Sequence, residues 1–369
     1  MAVFAPLLFW APSPAAYLND TLVGALVITF SVLVPMMPGM SIEGMMGGPD
    51  IPPGWTYYPS TWAQRLPIIV LGAVGFLIAR QLTAYQLGHT GSVWEPFFGG
   101  TGGRNGTETI ITSSVSKAWP IPDAGLGAVS YLLEVLMGAM GDKRRWRTMP
   151  WMVTFFGILV VPLGVVSIYF IIIQPILIGT WCSLCLLAAL AMLVMIPFAL
   201  DELIAMGQFL MWSRRAGKPL WRMFLMGGAL DGGSEDRETD IASPRSTLTA
   251  MVRGVTLPWT LLASIALGVW LMFTRLIFGT VPPMAHSDHL IGALVVTVAV
   301  IATAEIARPL RFVNIALGVW LIAAPWLLSG GSMLARWVGV AAGLVLIALS
   351  LPRGERSRDH YASWDRFVL

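Results

Sequence analysis

Nine apolar runs, separated by polar breaks, set the pattern of the chain. They fall at about 21–37, 66–84, 123–140, 149–173, 178–199, 256–278, 288–306, 312–328 and 334–351. A helix crossing the hydrocarbon core of a bilayer needs about 20 apolar residues. Most of the runs meet that length, and the first and third are short. The pattern predicts an all-α, polytopic integral membrane protein with about nine transmembrane helices.

The polar breaks orient the runs. With the N-terminus outside, the inside segments are 38–65, 141–148, 200–255, 307–311 and 352–369. Of the chain's 23 Lys and Arg, all but Arg80, Arg104, Lys117, Arg275 and Arg336 then lie inside. That asymmetry is the positive-inside signature. The opposite orientation would export Lys143, Arg144, Arg145 and Arg147 together with Arg214 and Arg215. Composition agrees, with 56% hydrophobic and only 12% charged residues and a mean hydropathy of +0.74, which excludes a soluble globular domain. The net charge of +3 is too small to suggest nucleic acid. The first residues, to Asn19, lack Lys and Arg and so do not read as a secretory signal.

Residues 201–255 differ in character, being polar, basic and interrupted by glycines. They read as a cytoplasmic linker that opens with an interfacial helix from Asp201 to Arg215. Beyond the linker, Ile265–Leu271 (Ile-Ala-Leu-Gly-Val-Trp-Leu) recurs unchanged at Ile315–Leu321. Each copy opens a helix pair, so the C-terminal part is an internal repeat. Four regions follow: 1–65, an N-terminal span with a Met/Pro-rich loop; 66–200, a four-helix bundle; the linker 201–255; and 256–369, the repeat with a basic tail.

Chemistry concentrates at Trp181-Cys182-Ser183-Leu184-Cys185, which holds the only two cysteines. A Cys-x-x-Cys pair closes as a small disulfide or opens as a dithiol, and so exchanges electrons in pairs. The orientation above puts it at the outer end of the fifth run, the side on which disulfides persist. Other features read more blandly. The methionines at 36, 37, 40, 45 and 46 suit Cu(I), but without Cys or His they read as an interfacial loop. His286 and His289 lack a third ligand beyond Asp288 and read as a solvated or interfacial pair, so no metal is expected. Glu305 reads as paired with Arg308 at the interface. Glu134, about one turn past Tyr131, is a candidate for a role in the bundle interior. The outer segment 85–122, with Trp94-Glu95-Pro96-Phe97-Phe98, reads as an anchor or a lid.

Three features of residues 66–200 resemble the vitamin K epoxide reductase family. The last of four helices starts with Cys182 and Cys185 on the outer side. A long outer loop joins the first two helices and passes through Ser113-Ser114 into the second. There Asp123, Gly127 and Tyr131 follow, the last two at the family's Gly-x-x-x-Tyr spacing. The C-terminal repeat resembles the SPW family of membrane helix pairs, although its second copy reads Ala324-Pro325-Trp326 and its first Phe273-Thr274-Arg275.

The first resemblance implies a quinone-linked thiol oxidoreductase with ubiquinone or menaquinone as substrate. Cys185 would face the quinone and Cys182 would exchange with a partner thiol. Asp123, Gly127, Tyr131 and Trp181 would form the quinone site, with Asp123 near the quinone carbonyl if protonated. A thiol at a helix start has its thiolate favoured by the dipole. The departures are definite. The family's two loop cysteines are absent, Glu108 lies near the place of the second, and Ala189 replaces an aromatic residue. Two function classes therefore stay open: an enzyme of the bacterial inner membrane oxidising periplasmic thiol proteins, and a non-catalytic subunit of a membrane complex that keeps the fold. Membrane lipid is a partner under either.

Overall fold

A computed structural model describes residues 20–21, 24, 50–118, 121–234 and 244–368. Most of the expected first span and the methionine-rich stretch through residue 49 lie outside them. The described chain is helical, with isolated bridges and no strand. Its main helices are α1 (Trp62–Gln86), α2 (Asp123–Ala139), α3 (Pro150–Ile173), α4 (Ser183–Arg215), α5 (Trp259–Met272), α6 (Met284–Ile301), α7 (Val313–Leu327) and α8 (Met333–Ser350). These correspond to the eight apolar runs after the first. Six spans among the described residues have the length and hydropathy to cross a membrane, while α2 and α5, at 17 and 14 residues, are shorter.

Local chemistry sets the helix ends. Thr61 caps α1 through a reciprocal box with Gln64, which satisfies two orphan donors at once. Pro150 opens α3, where its missing N–H costs nothing. After α3 the chain widens into a π turn, Gln174–Ile178, and stops at Gly179, whose φ of 86° is left-handed. That stop turns the backbone toward Cys182, the N-cap residue of α4.

α1 packs against α2 and α4, and α3 packs against α4. A Cβ on Gly75 would lie 2.4 Å from the ring of Tyr131, so glycine lets α2 seat its tyrosine against α1. In the C-terminal half α5 pairs with α6 and α7 with α8. Gly268 of α5 faces Gly292 of α6, and a Cβ on either would come within 2.8 Å of the other's carbonyl oxygen. Gly318 of α7 and Gly343 of α8 repeat the arrangement within the same 2.8 Å limit. Without a hydrophobic drive between helices in lipid, such small-residue crossings let backbones approach and gain dispersion contacts. The repeated heptapeptide thus supplies one half of a glycine crossing in each copy.

The segment expected to be an interfacial helix, Asp201–Arg215, is instead the unbroken continuation of α4. Three of its polar residues, Asp201, Glu202 and Gln208, are buried against partners. Glu202 takes the Arg145 guanidinium at 2.5 and 2.6 Å, with Ser60 Oγ at 2.5 Å. Asp201 accepts from the Tyr57 hydroxyl, and Gln208 bonds Trp55 Nε1 and the Tyr361 carbonyl at 2.7 and 3.0 Å. Around them Trp146, Met149, Phe209, Met223, Ile306 and Tyr361 form a core at one end of the bundle. The described parts of all five segments expected on one side of the membrane meet there. Glu305 does not take Arg308 as expected. It accepts from Ser357 and the Tyr361 hydroxyl, while Arg308 donates to the carbonyls of Ala302, Arg353 and Glu355. The C-terminal tail, at hydrogen-bond distance, outcompetes a helical neighbour.

Candidate functional site

Cys182 and Cys185 form a disulfide at the start of α4, with Cα atoms 5.2 Å apart. Two contacts fix the turn. The Cys182 amide donates to Gln174 Oε1 at 3.0 Å, and the Cys185 amide points at Cys182 Sγ at 3.0 Å. The sulfurs differ in surroundings. Cys182 is fully buried and packs with Val93, Ile110 and Ile111 of the loop between α1 and α2. Cys185 lines a cavity of about 340 Å³, which Cys182 does not.

That cavity lies among α1, α2, α3 and α4 beneath the loop. Its wall is mostly aliphatic, with Ala79, Leu82, Leu163, Ile171, Ala189 and Met192 among its members. A few polar residues interrupt it: Ser116, Asp123, Ser130, Tyr131 and Gln174. An apolar cleft of this size with a few convergent polar groups has the form of a small-ligand site. Asp123 Oδ1 is held by Gln86 Nε2 at 2.6 Å, Ser116 Oγ at 2.8 Å and the Ala124 amide at 2.8 Å. Tyr131 donates its hydroxyl to the Ala188 carbonyl at 2.7 Å, which ties α2 to α4 one turn below Cys185. Gly127 also lines the cavity, and a Cβ there would meet only Ala79, at 3.8 Å.

Of the four residues expected to form the quinone site, Trp181 is the one that does not line the cavity. Its ring lies against Phe98 at 5.4 Å, Phe273 at 5.6 Å and His289 at 6.1 Å. It points away because Cys182 turns the chain after it, and it wedges the loop against the C-terminal half. His289 is likewise not solvated: α6 starts four residues earlier than the apolar run suggests, and this buries the ring. Its nitrogens lie 3.2 Å from the Met272 carbonyl and 3.3 Å from that of Ile171, linking the two halves. Glu134 is fully buried, and both its carboxylate oxygens lack a hydrogen-bond partner among the described residues. No group of three or more His, Cys, Asp or Glu able to hold a metal occurs among them either.

The loop is a built lid. Asn105 and Glu108 form a reciprocal cap on the short helix Gly106–Ile111, and Glu108 Oε1 also receives the Val93 amide at 3.2 Å. Glu95 accepts from Ser183 N at 2.7 Å, Ser183 Oγ at 2.5 Å and Thr107 Oγ1 at 2.6 Å. Burial disfavours its ionised form, yet these donors outweigh that and hold its carboxyl below the usual range. Gln86, Ser116, Gln174 and Glu95 escape motif reading because each is a single polar residue whose partner lies 7 to 88 positions away, outside any short motif. The only sequence signal was Gln174 standing where an apolar run should have continued.

This geometry places a disulfide between a lid and an apolar cavity at the end of a four-helix bundle. Comparison with known families then decides the bundle's kinship. Residues 66–200 match the vitamin K epoxide reductase family. Residues 258–352 match the SPW repeat domain. No curated protein and no solved structure matches the chain. The chain is thus a multi-pass membrane protein in which a vitamin K epoxide reductase family domain precedes an SPW repeat domain. The cavity, the disulfide and the lid all lie within the vitamin K epoxide reductase family domain. α5–α8 make up the SPW repeat, which reaches α4 through Met272 and Phe273 and the end of α3 through His289.

Proposed function

We propose that this protein is a quinone-linked thiol–disulfide oxidoreductase of the bacterial inner membrane, with its N-terminus outside and its C-terminus cytoplasmic. The observation that carries the reading is the position of Cys185 in the wall of an apolar cavity, with Asp123, Gly127 and Tyr131 around it. An external dithiol attacks Cys182, and exchange leaves the substrate oxidised and Cys182 and Cys185 reduced. The reduced pair then gives two electrons and two protons to the quinone, which becomes a quinol as the disulfide re-forms. Attack on Cys182 expels Cys185 as thiolate. When the second substrate thiol resolves the mixed disulfide Cys182 leaves in turn, and the Cys185 amide, 3.0 Å from its Sγ, stabilises that thiolate. Asp123, gathered by Gln86 and Ser116, supplies the polar end of the cavity.

The full-length protein in lipid nanodiscs, given dithiothreitol and a short-chain ubiquinone or menaquinone, should reduce the quinone. Cys185→Ala should abolish turnover and trap a mixed disulfide on Cys182. Absence of reduction by the wild-type protein overturns the reading. A second reading is favoured by the complete burial of Cys182 and the lack of cysteine in the loop. In it the domain is a non-catalytic subunit of a membrane complex and the disulfide is a staple. Under that reading no mixed disulfide forms in Cys185→Ala cells.

A further inference from the structure

In the absence of loop cysteines, an external thiol must reach Cys182 itself, yet Cys182 has no exposed surface. Val93 and Ile110 cover it, and both flanks of that cover are tied to one carboxylate. Glu95 is two residues from Val93, and its Oε2 receives the Thr107 hydroxyl from the helix that carries Ile110. The same side chain receives both the amide and the hydroxyl of Ser183, the residue next to Cys182. The amides of Phe97 and Phe98 add donors at 3.1 and 3.2 Å. One anionic group therefore holds two parts of the lid on the first residue of the redox helix. Trp94 and Phe97 beside it stand 59% and 77% exposed.

We propose that Glu95 is the positioning residue for the thiol-exchange half-reaction, latching the loop to Ser183 so that Cys182 meets an external thiol only when the latch releases. This rests on the oxidoreductase reading above and adds how its thiol substrate gains access. The latch also sets a charge. A carboxylate on the first amide of α4 disfavours a second negative charge nearby, so the closed lid opposes thiolate formation at Cys182. Releasing the lid exposes the sulfur and removes that opposition together. Charge-assisted hydrogen bonds are the strong class, so losing one shifts an opening equilibrium appreciably.

The test alkylates Cys182 with iodoacetamide in the reduced full-length protein in nanodiscs, read by mass spectrometry across pH. Both Glu95→Gln and Ser183→Ala should raise the Cys182 rate at neutral pH by about tenfold. Only Glu95→Gln should also move the midpoint of the pH profile down, by about one pH unit. Cys185 alkylation reports integrity, because a misfolded variant exposes both cysteines together. If Glu95→Gln misfolds, Ser183→Ala, which removes only the hydroxyl bond, decides alone. Equal Cys182 rates in wild type and folded variants overturn the latch. The measurement uses neither quinone nor partner thiol, so it stays readable if turnover proves absent, and turnover without a latch effect sinks only this inference.

Discussion

Tyr131 divides its work between ring and hydroxyl. The ring fills the notch left by Gly75 on α1, and the hydroxyl crosses to Ala188 on α4. Gly127, one turn earlier, faces open cavity instead. The two glycines should therefore respond in opposite ways to added bulk. Gly75→Ala forces a Cβ into the tyrosine ring and should destabilise the bundle by about 1–3 kcal/mol, as overpacking does, visible as a lower melting temperature. Gly127→Leu should melt near the wild-type temperature while weakening quinone binding at least about tenfold, which loss of pocket volume and shape explains. Quenching of tryptophan fluorescence by a titrated quinone would read the second effect. Cys182, Cys185, Gly127 and Tyr131 stood out in the sequence because they lie in short motifs with fixed spacing. Glu95 and Gln174 did not, since each is tied to the disulfide turn by a partner 88 and 8 positions away.

At the scale of elements, continuous apolar runs marked the helices well, because lipid forces backbone satisfaction within each segment. Where polar residues resumed, the reading stopped short. α4 was ended at 199 by Asp201 and Glu202, which look like surface residues until Tyr57, Ser60 and Arg145 are found around them. The repeat was visible as seven identical residues, but its physical content, one glycine per crossing, needed the partner helix. Gly318→Leu should separate α7 from α8, because its side chain would meet the Gly343 carbonyl within 2.8 Å. A loss of at least about 1–3 kcal/mol is expected, measured as a fall in the melting temperature of the protein in nanodiscs. An unchanged melt would mean that the crossing does not depend on close approach.

For the whole molecule, the polar cap at the end of α4 far from the disulfide is the least legible part. Its members come from 50–61, 141–149, 201–230, 303–312 and 355–368, and no local pattern joins such distant segments. Asp359 illustrates the assembly: it accepts from Thr56 Oγ1 at 2.9 Å and Arg253 Nη2 at 3.1 Å. Burial disfavours its charge, but Arg253 and Thr56 outweigh this and hold its carboxyl below the usual range. A carboxyl depressed on folding contributes stability above its unfolded value of about 3.9, and the contribution is lost as pH falls through the lower folded value. Limited proteolysis should therefore find the tail protected at neutral pH and cleaved faster below about pH 4. Asp359→Asn should give fast cleavage at neutral pH as well. A tail equally resistant in both proteins would mean that these contacts do not hold it.

The length of α4 has a consequence for how the two ends of the protein relate. At 33 residues it is about 50 Å long, against about 30 Å of hydrocarbon. The disulfide sits at its first turn, and its last four turns stand clear of the apolar stretch. Three other segments are moored to that projecting mast, one through Trp55, Tyr57 and Ser60, one through Arg145 and one through Tyr361. A tilt imposed on the disulfide end would thus be carried along one continuous helix to its other end, eased only where Pro197 removes a backbone hydrogen bond.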